Sequence, residues 1–204
     1  MFRKTLKRTM ALTGALLALL TGCGKATEPD QQALEFRTAL MEAGGCCFRA
    51  DVTAFWDERV YSFSLRCTAS DGEAALELLE PESIAGLRAV AREGSACLEY
   101  DGASLELGSL ANGTVPPVMA PWLLVECWRG EYIAWAGMDG DQRRVTYLRG
   151  YDEEELTVDT WFDREVPVYA EVAWGGSKCL SVTITDYQMT NEEMTNEAAE
   201  TNLG

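Results

Sequence analysis

The chain has no histidine among its 204 residues. That absence excludes a Ser-His-Asp or Cys-His hydrolase and any zinc site built on imidazole. Bases are scarce too, with 17 Lys and Arg against 33 Asp and Glu. Four of the 17, Arg3, Lys4, Lys7 and Arg8, lie before residue 23, where there is no acid. The rest of the chain therefore holds 13 bases against 33 acids, a net charge of −20. Such a balance argues against nucleic acid as a partner and against electrostatic attachment to anionic headgroups. The apolar run Met10 to Leu20 covers about 11 residues, where a membrane-spanning helix needs about 20. No Cys-x-x-Cys occurs and only Cys46 and Cys47 are adjacent, which argues against a thiolate zinc site. No metal or cofactor is implied.

What is present begins at the N-terminus. A basic start and a short apolar run lead to Leu20-Thr21-Gly22-Cys23, the layout of a secretory leader. The segment resembles the lipobox of bacterial lipoproteins, which implies that residues 1–22 are a signal peptide and that Cys23 is lipidated after cleavage. Two or more acyl chains, palmitate for example, anchor a protein stably, since each buried methylene contributes about 0.8 kcal/mol. The mature protein is then expected on the outer face of the cell membrane. Residues 23–30, polar and containing Pro29, read as a tether. Residues 31–188 read as one domain, and 189–204, with Met-Thr-Asn-Glu twice over, as a disordered acidic tail.

Within the domain, Leu34, Phe36, Leu40 and Met41 recur at helical spacing over Gln31 to Ala43, before Gly44-Gly45. From Cys46 the pattern changes to alternating runs rich in Val, Tyr, Phe and Thr, the mark of an antiparallel sheet. Parity puts Phe48, Ala50, Val52, Ala54 and Trp56 on one face, answered by Tyr61, Phe63 and Leu65 across a turn at Asp57 to Val60. Cys46 and Cys67 fall on the same apolar face, so a Cys46–Cys67 disulfide is expected in an oxidising compartment. Asp101-Gly102 marks a hairpin between Tyr100 and Leu105. Between Trp174 and Lys178 a three-residue loop would set Val172 opposite Leu180, Ala170 opposite Val182 and Val168 opposite Ile184. Pro121, followed by Trp122, Leu123, Leu124, Val125 and Trp128, predicts a short second helix, apolar nearly all round and covered by a curved sheet.

Three segments carry a further resemblance: Glu80-Pro81-Glu82-Ser83-Ile84-Ala85-Gly86-Leu87, then Leu98-Glu99-Tyr100-Asp101-Gly102, then Trp161-Phe162-Asp163 through Pro167-Val168-Tyr169-Ala170-Glu171-Val172. In that order they resemble landmarks of the LolA/LolB-like, lipoprotein-sorting-like family of bacterial lipoproteins. The resemblance implies a mainly β fold with two helices, an incomplete antiparallel barrel closed by helices on its concave side. It also implies an apolar cleft for acyl chains or a lipidated partner. The aromatic candidates for that cleft are Phe48, Trp56, Phe63, Trp122 and Trp128. A second reading is a non-catalytic scaffold for an envelope or spore-germination protein, since an unclosed sheet has edges that accept a strand. An enzyme would have to use carboxylates such as Asp139, Asp141, Asp152, Glu153, Glu154 and Glu155. Consecutive acids of that kind belong to solvated turns rather than opposed pairs, so no catalysis is expected.

Overall fold

A computed structural model describes residues 27–56, 58–70, 72–93, 95–100, 103–107, 116–150 and 155–190. Residues 1–26, which include the segment read as a signal peptide and Cys23, and residues 191–204, read as a tail, lie outside the described residues. Helix α1 spans Glu28–Glu42 and α2 spans Ala120–Gly130, the latter entered through a 3-10 turn at Pro117–Met119. The strands are β1 (Cys46–Trp56), β2 (Arg59–Ser70), β3 (Glu73–Glu80), β4 (Arg88–Arg92), β5 (Ser95–Tyr100), β6 (Ala103–Leu107), β7 (Tyr132–Asp139), β8 (Gln142–Arg149), β9 (Leu156–Asp163), β10 (Val166–Trp174) and β11 (Ser177–Met189).

These form one 11-stranded sheet in the order β6-β5-β4-β3-β2-β1-β11-β10-β9-β8-β7. Neighbours along it pair antiparallel. Two meanders are thus joined at a β1–β11 seam, while β6 and β7, successive in the chain, lie at opposite edges. What separates them is α2. Its contacts reach β2, β8 and β11, so the sheet bends round it and stays open. This is the expected fold class: an incomplete antiparallel barrel with helices on its concave side.

Sequence pattern accounts for most of this. On β1, Phe48, Ala50, Val52 and Ala54 are buried, and α2 is buried from Ala120 to Val125 and again at Cys127 and Trp128. The Val172–Leu180 and Ala170–Val182 pairs occur as expected. The loop that sets them differs. Gly175 and Gly176, both at positive φ, make a two-residue turn between Trp174 and Ser177, and a register shift after Val172 supplies the remaining residue. Two glycines in the left-handed region suit the twist of a tight hairpin, and the bulge then restores the faces. The ladder ends at Tyr169–Thr183, short of Val168 and Ile184.

Other expectations need correction. The helix α1 starts at Glu28, inside the stretch read as tether, because Thr27 caps it: the Thr27 N–H donates to Asp30 Oδ2 at 3.0 Å. Its buried face is Ala33, Phe36 and Leu40, while Leu34 and Met41 are exposed. The β1–β2 turn is tighter than expected, with Trp56 already paired to Arg59, and Tyr61 is exposed near this free end. Met189, assigned to the tail, is the last residue of β11 and packs against the core. No Cys46–Cys67 disulfide forms. Cys46 stands opposite Ala69 and Cys67 opposite Phe48, a diagonal relation, and both are buried free thiols.

Candidate functional site

The concave side is built from the helices outward. Arg37 on α1 gathers carbonyls at the end of α2: its Nε donates to Trp128 O at 2.9 Å, and its Nη2 to Cys127 O at 3.3 Å and Glu131 O at 2.6 Å. A cation is favoured there by the helix dipole as well as by hydrogen bonding. In return, Arg129 on α2 donates to Gly44 O at the end of α1, at 3.3 Å. The two helices are therefore locked end to end. Nothing in the spacing of Arg37 and Arg129 shows this in the sequence.

Beneath them lies an aromatic cluster. Trp128 has ring centroids 5.9 Å from Phe36, 5.8 Å from Phe48 and 6.1 Å from Tyr187, and its Nε1 donates to Thr160 Oγ1 at 3.0 Å. Three of the five expected cleft residues, Phe48, Trp122 and Trp128, are 0–3% exposed. They fill the concavity rather than line it, because the Trp side chains of α2 occupy the space an empty half-barrel would leave. Phe63 is half-buried and borders a separate depression of about 210 Å³ with Asp51, Ser64 and Pro81. Trp56 is placed at the end of β1, and its side chain lies outside the described residues. The structure brings Phe48 and Trp128 together with Phe36, and leaves Phe63 apart.

The larger cleft is elsewhere, between α1 and the β8 and β9–β10 side of the sheet. It holds about 460 Å³, within the roughly 300–1,000 Å³ of small-molecule sites. Phe36, Ala39 and Met189 form its apolar part, and Gln32, Glu35, Arg143, Arg164 and Glu165 its polar part. Arg143 is only 4% exposed. Its guanidinium lies over Phe162, 4.8 Å from the ring centroid, and its Nη1 donates to Gln32 Oε1 at 2.9 Å. Its Nε and Nη2 are buried without a partner. Burial lowers the Arg143 pKa from its ordinary value, opposed by Tyr147, Glu165 and Glu35. Sequence parity contained this signal: Arg143 is in phase with Val145 and Tyr147, both buried on the inner face of β8.

Of the carboxylates considered for catalysis, those described are not gathered at this cleft. Asp139 accepts a hydrogen bond from Trp161 Nε1 at 2.9 Å on the outer face of the sheet, Asp141 and Glu155 are exposed, and residues 152–154 lie outside the described residues. Among the described residues, no group of three or more Cys, Asp or Glu is placed to hold a metal ion. The buried thiols are inert: burial pushes Cys46 up to about 12 and raises Cys67 and Cys127 as well.

No protein-family profile and no curated protein matches this sequence. Solved structures do. An outer membrane lipoprotein-sorting protein domain from Vibrio parahaemolyticus is 10% identical, with 82% of this chain and 96% of that chain covered and a TM-score of 0.47. A LolA superfamily protein from Nitrosomonas europaea is 7% identical, with 76% and 94% covered and a TM-score of 0.39. A chain of the Clostridioides difficile complex between the CwlD amidase and the GerS lipoprotein is 13% identical, with 80% and 96% covered and a TM-score of 0.38. All three matches lie below 15% identity and below a TM-score of 0.5.

Proposed function

We propose that this chain is a non-catalytic extracytoplasmic binding protein, anchored through a lipid on Cys23, which holds the acyl chain of a lipid or a lipidated partner. The site is the cleft beneath α1 and not the aromatic interior. The observation that carries this is the pairing of an apolar floor, Phe36, Ala39 and Met189, with polar groups at one side, the arrangement that receives a molecule with an apolar tail and a polar head. The aromatic side chains under α2 are buried, whereas the cleft beside α1 is open to a ligand.

Native mass spectrometry of the detergent-free protein tests the proposal. One acyl-chain molecule bound per chain, lost in Ala39→Trp, is the expected result, because an indole at residue 39 fills the cleft. Unaltered binding in that variant would defeat the placement, and no binding by the parent chain would defeat the function. The anchor has its own test: Cys23→Ala should move the protein from the membrane to the soluble fraction.

A scaffold role is the second reading, favoured by the free edge of β7, where Tyr132 is 70% exposed and Trp135 44%. An edge strand bearing exposed aromatics can take up another protein's strand. Recovery of one stoichiometric protein from envelope extract with an empty cleft would favour it.

A further inference from the structure

A guanidinium has five N–H donors, and the pair Nε–H and Nη2–H forms one straight edge that matches two oxygens of a planar anion. In Arg143 this edge is the one left without partners, while Nη1 is taken by Gln32. No ion pair among the described residues involves Arg143. A cation 4% exposed with no carboxylate on it is a costly arrangement for a folded chain unless something else completes it. Phe162 covers one face of the guanidinium, which holds its plane in place, and Arg143 itself borders the cleft.

We propose that the cleft beneath α1 binds a carboxylate, with Arg143 holding the head of a single-chain fatty acid by its Nε and Nη2 edge and the chain lying on Phe36, Ala39 and Met189. The inference rests on the reading of this cleft as the ligand site and adds the class of ligand. Shape and charge both select the carboxylate. It is planar and accepts two parallel hydrogen bonds, stronger than those a neutral acceptor makes. Glu35 and Glu165 stand in the same cleft, balanced by Arg143 and Arg164. Such surroundings accommodate one further negative charge better than the two of a phosphate monoester.

Isothermal titration with decanoate, decanol and decyl phosphate, each below its aggregation concentration, separates the possibilities. The protein is the full chain carrying Cys23→Ala, and Arg143→Lys in the same background keeps the positive charge while losing the edge. The expected result is one decanoate bound per chain, weakened about tenfold or more by Arg143→Lys, with decanol weaker than decanoate and indifferent to the substitution. Equal affinity for decanol and decanoate, or no change in Arg143→Lys, overturns the carboxylate inference and leaves the cleft as an apolar-ligand site. Decyl phosphate binding more tightly than decanoate overturns it in favour of a phosphate head. Binding of none of the three removes the ligand reading of the cleft altogether. Should Arg143→Lys fail to fold, Gln32→Glu supplies an internal carboxylate to the same guanidinium. It should weaken decanoate severalfold and leave decanol unchanged, and unchanged decanoate binding there would also overturn the inference.

Discussion

The two wings of the sheet solve the same problem with different materials. On the wing from β2 to β5 the inner face includes Leu65, Cys67, Ala69, Ala74, Leu76, Leu78, Ala89, Ala91 and Ala96. On the wing from β7 to β10 it includes Val145, Tyr147, Leu156, Val158, Phe162 and Val172. The outer faces differ in kind as well. Exposed Arg–Glu pairs mark the first wing, Arg66–Glu77 at 3.4 Å and Arg92–Glu73 at 2.5 Å. The second carries a ladder of rings and cations: Arg144 lies 4.9 Å from Trp135 and 5.6 Å from Trp161, and Trp161 lies 5.3 Å from Tyr169. Bulk on the inner face collects beneath α1, on the side where the cleft opens. The difference teaches that the second wing brings larger side chains to the side of the site, and that the first covers the rest of α2 with smaller ones.

The sharpest way to break this comparison is at the point where both wings meet the helices. Trp128→Ala removes an entirely buried ring and its bond to Thr160, and should cost about 3–5 kcal/mol, read by urea unfolding. A loss below about 1 kcal/mol would mean that the aromatic cluster does not organise the fold. Alkali should act on the same seam. The folded Cys46 thiol is held up to about 12 against an ordinary 9.0, so the unfolded chain releases that proton first. Stability from this group is intact below about pH 9 and falls as pH rises through about 12. Thermal melts across that range check the sign, and native-state alkylation at pH 8 should spare Cys46, Cys67 and Cys127.

Smaller effects distinguish the wings themselves. Arg37→Met strips the end of α2 of three hydrogen bonds and should destabilise by about 1–3 kcal/mol, with decanoate affinity falling as α1 loosens. Trp161→Ala, on the outer face of the second wing, gives up its contacts to Arg144, Tyr169 and Asp139, worth about 1 kcal/mol. Arg92→Ala, on the outer face of the first, should change stability by about 0–1 kcal/mol. Equal losses from the last two would erase the distinction between the outer faces.

Much of the sheet is legible in the sequence because alternation is a local rule: β1 could be read residue by residue, and the apolar α2 declared that it would be wrapped. The register at Val172–Leu180 was legible for the same reason, since burying one face leaves only one parity. How the chain reached that register was not, because a two-residue turn with a bulge and a three-residue loop place the same side chains inward. On α1, Ala33 lies inward and Leu34 outward, which hydrophobicity alone inverts. Helix-to-helix packing decided it, with Arg37 fixing the rotation of α1 by its hold on α2. Of the aromatic residues proposed for the cleft, Phe48, Trp122 and Trp128 are buried, yet sequence cannot say whether a concavity is full. Arg143 was not singled out in the sequence, although its phase with Val145 and Tyr147 pointed inward.

The middle of the sheet is where the earliest and latest strands meet: Cys46 faces Met189, and Ala54 faces Leu180. Such a pairing joins residues more than a hundred positions apart, so its closure entropy falls due only when synthesis is nearly complete. A nascent chain lacking Ser177–Met189 would hold two separate meanders, with β1 as a raw flank open to strand exchange. Joining residue 190 to residue 27 and cutting between β6 and β7 would yield a permuted chain in which only α1 separates β11 from β1, and which should refold faster.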